Sequence, residues 1–378
     1  MNTKISEKQI EKSKAESGTK IVDKAIMPGP AYFVILATTV ILLLSFTVAF
    51  FAVFAKDKAQ GTSHSNNVDI NSPSENNQSS GNSKNPSGTV IGGGVSVGGN
   101  YLGRTSAKRS NYVSKASTNV NNISDVREVD NVILVDLDTY ESVAEKFADT
   151  KIYPASMTKV MSLLVACENL KSLNTKLTVT KEVIDYAYEM EGSLFGVKKG
   201  DKLSTQDLLY LTSYYSDTVA VVMLAEHISG SEDEFVKLMN AKAREIGLKN
   251  TNFDNCTGLH SEDNYTTCRE MAAIMAYALE HPLCKELLTS TKAYKIYIND
   301  EHAYTLWSPS WYRERLSNQP KLNTVTVTGG KTGYIDESGF CLVSYAVGSS
   351  SGKRYIQVVV GDTRSSENVK YVYNNFAN

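Results

Sequence analysis

A serine and a lysine are spaced so that their side chains can react together in the segment Ser156-Met157-Thr158-Lys159. The segment follows Pro154 at a predicted helix start, and residues three apart on a helix share a face, so the lysine amine can reach the serine hydroxyl. A serine hydroxyl is a poor nucleophile until a neighbouring base takes its proton. Lysine can be that base when burial and a nearby positive charge lower its pKa. The spacing therefore predicts Ser156 as a nucleophile and Lys159 as its general base.

A second chemically suggestive segment is Lys331-Thr332-Gly333, which follows two glycines on a predicted strand. Lys331 can supply positive charge to a substrate carboxylate, and Thr332 can donate a hydrogen bond to the same group. Gly333 allows the backbone to approach a ligand closely. The backbone N–H of Tyr334 is expected to donate to a developing oxyanion, beside the N–H of the nucleophile.

The third segment, Ser216-Asp217-Thr218, lies between two predicted helices. A second serine near the lysine base can relay a proton to a leaving amine, so Ser216 is predicted as that relay. Serine in a loop between helices is common, so this segment gains meaning only from its order with the other two.

The order S-x-x-K, then S-x-x, then K-T-G resembles the signature set of β-lactamases and penicillin-binding proteins. From about residue 130 onward the sequence resembles the low-molecular-mass D-alanyl-D-alanine carboxypeptidases, the S11 serine peptidases. The matching stretches include YPASMTKVMS, TGLH (257–260) and GGKTGYIDESGFCLV. This resemblance implies an α+β fold, with an antiparallel sheet flanked by helices plus a helical subdomain.

The resemblance also implies roles for single residues. Ser156 would be acylated, Lys159 would act as its base and Ser216 as proton relay, while Lys331 and Thr332 would hold the terminal carboxylate. The implied reaction removes the last D-alanine of a peptidoglycan stem peptide that ends in D-Ala-D-Ala. β-Lactam antibiotics would acylate the same serine, and no metal or organic cofactor is implied.

The second motif departs from the family pattern at Thr218, where the family has an asparagine that holds the acyl side chain of the substrate. Threonine is shorter and lacks the paired donor and acceptor of an amide. Thr218 is therefore predicted as a substrate-binding residue that alters preference or reduces activity.

Two alternatives follow. One is a penicillin-binding or wall-binding sensor or scaffold with impaired turnover. The other is a class A-like β-lactamase, whose E-x-x-x-N loop is matched only by Glu314 to Asn318, just before the K-T-G strand.

The N-terminal third differs in composition from the rest of the chain. Residues 1–30 are polar and are expected to be a cytoplasmic tail, because their lysines outnumber those just beyond the next segment. Residues 31–55 carry no charge and are long enough to cross a bilayer, which predicts one transmembrane helix. Residues 56–122, rich in Ser, Asn and Gly, predict a disordered linker. The catalytic domain is assigned to residues 123–378.

This organisation predicts a single-pass membrane protein with an extracytoplasmic catalytic domain. The alternative is a cleaved signal peptide, since Val53-Phe54-Ala55 satisfies the small-residue rule, but the apolar stretch is longer than usual. The formal net charge of −2 gives no indication of nucleic-acid binding.

Several other residues invite a functional interpretation. The five cysteines form no C-x-x-C pair, so no zinc site is expected, and Cys167 and Cys341 are expected to be buried thiols within apolar segments. A bridge between Cys256 and Cys268 is the alternative. His227 and His260 are expected to be structural. The two tryptophans, Trp307 and Trp311, either line a groove or pack in a loop.

Overall fold

The computed structural model describes residues 102–123, 129–300, 302–307, 322–362 and 367–377. The predicted tail, the predicted span and the linker up to residue 101 lie outside these ranges, as do Trp311 and the segment from Glu314 to Asn318. Within the ranges described, no helix is both long enough and apolar enough to cross a bilayer.

The described strands form one large sheet and two small hairpins. Their bounds are β1 Lys115–Asn122, β2 Asn131–Asp136, β3 Glu141–Lys146, β4 Lys176–Thr178, β5 Lys202–Ser204, β6 Tyr294–Ile298, β7 His302–Leu306, β8 Val325–Ile335, β9 Gly339–Gly348 and β10 Arg354–Val360. The six-stranded sheet has the order β1-β3-β2-β10-β9-β8. Its pairs are antiparallel except β1, which runs parallel to β3. The strand predicted for the K-T-G segment is confirmed as β8.

The helices surround this sheet. Their bounds are α1 Lys159–Asn169, α2 Lys181–Glu189, α3 Thr205–Tyr214, α4 Thr218–Ser229, α5 Glu232–Ile246, α6 Cys268–Ala278, α7 Pro282–Thr289 and α8 Glu367–Phe376. All of β2 is buried because the sheet is covered on both faces. Ile133 and Val135 face the core that contains α1, whereas Val132 and Leu134 face the core closed by α8. The architecture is the predicted α+β fold, with a helical layer on one face and a terminal helix on the other.

The fold begins earlier than the boundary predicted at residue 123. Strand β1 adds to the edge of the sheet, and Tyr112 is 3% exposed with its hydroxyl 2.6 Å from Glu280 Oε2. We call residues 102–112 the strap. The composition predicted a linker over β1 because the side chains of this strand are exposed or half-buried throughout. The strand is held by backbone pairing, which needs no apolar side chains.

Candidate active site

Ser156 lies in a 3₁₀ turn, Ala155–Thr158, which leads directly into α1. Lys159 is the first residue of α1, and its Nζ lies 3.2 Å from Ser156 Oγ. The same Nζ donates to the carbonyl oxygen of Thr257 at 2.5 Å. The predicted serine–lysine contact is therefore present, and a backbone carbonyl orients the amine.

The Lys159 amine is buried in the middle of the domain, with the residue only 1% exposed. Burial lowers the pKa of Lys159 to about 8, although nearby Cys256, Asp217 and Glu232 favour the charged form. In the part of the chain described, its hydrogen bonds go to a hydroxyl and a carbonyl and not to a carboxylate. A lysine held in this way can lose its proton near neutral pH, as a general base must.

Two glycines allow other backbone segments to press against the Ser156 turn. A Cβ on Gly333 would lie 2.9 Å from Ser156 N, so β8 passes directly beside the nucleophile. Gly258 has φ +79°, and a Cβ there would lie 1.9 Å from Ala155 O. Ala155 itself has φ 47°, a conformation that L-residues other than glycine adopt at a cost. The turn is held between β8 and the loop after α5.

Lys331, on β8, contacts Ser216 of the second motif, whereas the sequence predicted Ser216 beside Lys159. Lys331 Nζ lies 3.0 Å from Ser216 Oγ and 2.9 Å from the carbonyl oxygen of Thr332. Burial holds the pKa of Lys331 well below its usual range, and the positive charge of Lys159 lowers it further. A buried amine of this kind favours an anionic ligand, because a carboxylate would restore its charged form.

The remaining K-T-G residues border the same strand. Thr332 is half-buried, and the Tyr334 side chain is exposed with its hydroxyl 3.2 Å from Asp336 Oδ1. The structure places Gly333 beside the nucleophile, while the roles of Thr332 and the Tyr334 N–H in substrate binding stay predictions.

The structure shows what surrounds Asp217 and Thr218 in the second motif, which differs from the family pattern. Asp217 caps α4, since its Oδ1 accepts from Ala220 N at 2.7 Å and its Oδ2 from Phe195 N at 2.6 Å. Burial nevertheless raises the pKa of the Asp217 carboxyl. Thr218 is fully buried, and its Oγ1 has no hydrogen-bond partner among the described residues. A Cβ on Gly192 would lie 2.5 Å from that oxygen, so the backbone at Gly192 covers it. Contact between Thr218 and substrate stays a prediction.

The loop that orients Lys159 was not predicted from the sequence. Asn255 Oδ1 accepts from Thr257 N, Thr257 Oγ1 and Gly258 N, at 3.2, 2.9 and 2.7 Å. This arrangement directs the carbonyl of Thr257 at the amine of Lys159. In the sequence, only Gly258 in the TGLH stretch could have indicated this loop. The group that orients Lys159 is a backbone carbonyl, and any residue type can supply one.

The residues that were expected to be structural, or to pack in a loop, lie at exposed positions. His227 is exposed at the end of α4, and His260 Nδ1 lies 3.6 Å from Glu337 Oε2 at the surface. Trp307 is 69% exposed. All five cysteines are free and buried, which confirms the prediction for Cys167 and Cys341, and the alternative bridge between Cys256 and Cys268 is absent.

A serine beside a lysine of lowered pKa, facing a second serine–lysine pair, defines the class of serine acyl-transfer domains. The chain belongs to the D-alanyl-D-alanine carboxypeptidase family, peptidase family S11, whose model matches residues 118–364.

Individual relatives agree with this assignment. The D-alanyl-D-alanine carboxypeptidase DacF of Bacillus subtilis is 33% identical over 242 residues, covering 64% of this chain and 59% of that protein. DacC of Escherichia coli is 34% identical over 236 residues, covering 61% and 55%. This chain thus spans under two thirds of their length. The DD-transpeptidase of Streptomyces K15 shares the fold with a TM-score of 0.58 and 25% identity, covering 66% of this chain and 98% of that one.

Proposed function

We propose that the chain is a serine D,D-carboxypeptidase that removes the terminal D-alanine of peptidoglycan stem peptides and is acylated by β-lactams. The observation that carries this proposal is the 3.2 Å contact between Ser156 Oγ and Lys159 Nζ, in a site where burial lowers the pKa of the lysine to about 8. The family and the relatives support the substrate class.

Acylation begins when Lys159 takes the proton of Ser156 and the serine oxygen attacks the carbonyl carbon between the two D-alanines. The backbone N–H groups of Ser156 and Tyr334 stabilise the oxyanion. Lys331 and Thr332 hold the terminal carboxylate, so the scissile bond is presented to the nucleophile.

Two proton transfers complete the reaction. The departing amine gains a proton, and the water that attacks the ester loses one. Ser216, whose Oγ lies 3.0 Å from Lys331 Nζ, relays to the amine of the departing D-alanine the proton that Lys159 took from Ser156, which leaves Lys159 neutral again. Lys159 next takes a proton from water as the water oxygen attacks the Ser156 ester, and it returns that proton to Ser156 Oγ as the shortened peptide leaves.

The decisive experiment measures D-alanine release. Full-length protein in detergent is incubated with diacetyl-Lys-D-Ala-D-Ala, with Ser156→Ala as the inactive variant and the exposed Ser106→Ala as a matched control. We expect release by the parent and by Ser106→Ala, and none by Ser156→Ala.

The alternatives give different results in the same assay. No release, with penicillin still labelling Ser156 and the label persisting, would indicate a sensor or scaffold with impaired turnover. Rapid loss of the penicillin label together with penicillin hydrolysis would indicate a β-lactamase. Absence of both release and labelling would refute the proposal.

We also propose that residues 31–55 anchor the protein in the cell membrane with the catalytic domain outside. The support is the uncharged run of residues, long enough for a ~30 Å hydrocarbon core. Full-length protein is expected to stay with membranes after alkaline carbonate extraction, whereas a variant lacking residues 31–55 is not. Protease added to intact protoplasts should remove the domain; protection would contradict the orientation.

A further inference from the structure

A second cluster of reactive side chains lies away from the catalytic site. Cys167, His281 and Cys284 each direct one potential ligand atom into the same space, and these atoms all lie within 4.8 Å of one another. The residues are 0%, 2% and 0% exposed. Cys167 follows Lys159 by eight residues on α1, about 12 Å along the helix axis. The cluster is therefore separate from the reacting atoms.

The histidine is held in the orientation that metal-binding imidazoles adopt. His281 Nε2 lies 3.0 Å from the carbonyl oxygen of Gly103, which can only accept, so Nε2 carries the proton. The lone pair is then on Nδ1, which accepts a long hydrogen bond from Cys284 N, at 3.4 Å, as the cap of α7. A metal ion on Nδ1 would replace this hydrogen bond. Metal-ligating histidines almost always donate their other N–H to a carbonyl or carboxylate, which fixes the tautomer.

The strap closes the cluster from outside. Gly103 N donates to the carbonyl oxygen of Cys167 at 3.3 Å, and Thr105 N donates to Glu168 Oε1 at 3.0 Å. The Thr105 hydroxyl is buried without a hydrogen-bond partner in the part of the chain described. A tightly covered group of two thiols and one imidazole is suited to a soft metal ion that needs little solvent.

The net charge of the complex favours a divalent ion over a monovalent one. The thiolate is the form that binds metals, so a coordinating cysteine thiol releases one proton on binding. One divalent ion and two thiols then give a neutral bis-thiolate complex and two released protons. A neutral complex costs far less to bury than the anionic complex that a monovalent ion would form. Thiolate and imidazole are ligands that zinc prefers.

We propose that Cys167, Cys284 and His281 Nδ1 bind a divalent ion of the zinc class as a structural site. The ion would join the end of α1 to the start of α7. The other end of α7 packs on β8, where a Cβ on Gly329 would lie 2.4 Å from Leu288 O. Thus the site would tie together the two elements that carry Lys159 and Lys331.

The test uses full-length protein in detergent, kept reduced and freed of metal, titrated to equilibrium with Cd²⁺ and with Zn²⁺. We expect one equivalent to bind, two protons to be released per ion, and a thiolate-to-Cd²⁺ charge-transfer band in the ultraviolet. The double variant Cys167→Ala, Cys284→Ala should lose the band. The double variant Cys268→Ala, Cys341→Ala, which removes two other buried thiols, should keep both the band and the stoichiometry.

A separate variant distinguishes the loss of a metal ligand from the loss of folding. In His281→Asn the new side chain can still cap α7, as asparagine commonly does, but cannot supply an imidazole. We expect its affinity for Zn²⁺ to fall at least tenfold while penicillin labelling of Ser156 persists. Binding that all these variants share, the absence of stoichiometric binding, or a Cys167–Cys284 disulfide in the protein as isolated would overturn the proposal.

Discussion

Replacing Lys159 with methionine is expected to slow acylation of Ser156 by a factor of about 10² to 10⁴, the usual contribution of a general base. Methionine fills the space of the lysine stem but cannot accept the serine proton. Because the amine is buried without a carboxylate partner in the part described, its removal also relieves a desolvation cost. The variant should therefore unfold at a temperature equal to or above that of the parent.

The measurement is the rate of labelling by a fluorescent penicillin, together with thermal unfolding. Lys159→Arg is the companion variant, since arginine keeps the charge but does not deprotonate in proteins. Both variants should be slow. Rapid acylation of either one would show that another group takes the proton.

The pH dependence of the parent follows from the same lysine. Only the neutral amine accepts a proton, and burial lowers the pKa of Lys159 to about 8. Below about pH 8 the acylation rate constant should fall roughly tenfold per pH unit, and above it the rate should level off. In Lys159→Met this acidic limb should vanish, an effect that general damage to the fold would not produce.

The second large effect is expected at Gly258. In Gly258→Ala the new Cβ would lie 1.9 Å from Ala155 O, on a residue with φ +79°. Overpacking and positive-φ strain together should lower the free energy of unfolding by about 2–4 kcal/mol. The Ser156 turn must also move, and a displacement of about 1 Å at a reacting group can cost on the order of 100-fold in rate. D-alanine release should fall by that factor.

Gly247 offers a matched control for the strain alone. It has φ +94° at the end of α5, with nothing within 4 Å of its ideal Cβ. Gly247→Ala should therefore cost about 1–2 kcal/mol and leave D-alanine release unchanged. If Gly258→Ala behaves like Gly247→Ala in both denaturant unfolding and turnover, the close packing of Gly258 on the nucleophile turn is not important for catalysis.

The contact between Ser156 and Lys159 could be predicted because it depends on residue type and local spacing. Three residues of helix bring Lys159 to Ser156, and the alternation of β8 turns Lys331 inward. The helices α3 to α6 also carry periodic apolar residues, a pattern that a sequence shows directly.

Other features depend on backbone contacts that residue type does not encode. The carbonyl of Thr257 orients Lys159, and β1 joins the sheet through its main chain. The covering of Thr218 by Gly192 depends on a long-range approach of two loops. The cluster of Cys167 with His281 and Cys284 was missed because the ligands come from distant segments, whereas metal-site prediction from sequence relies on short spacings.

Finally, the pairing of β2 with β10 joins distant parts of the chain and so affects when the site can form during synthesis. Arg354 N, at the start of β10, donates to Asp138 Oδ2 across 216 residues of sequence. Closing so long a loop is entropically costly, and folds dominated by such pairings form slowly. The Ser156 turn is synthesised well before β8, which carries Lys331, and β10, which joins β9 to β2. The site is therefore expected to form only after β8 and β10 have been synthesised.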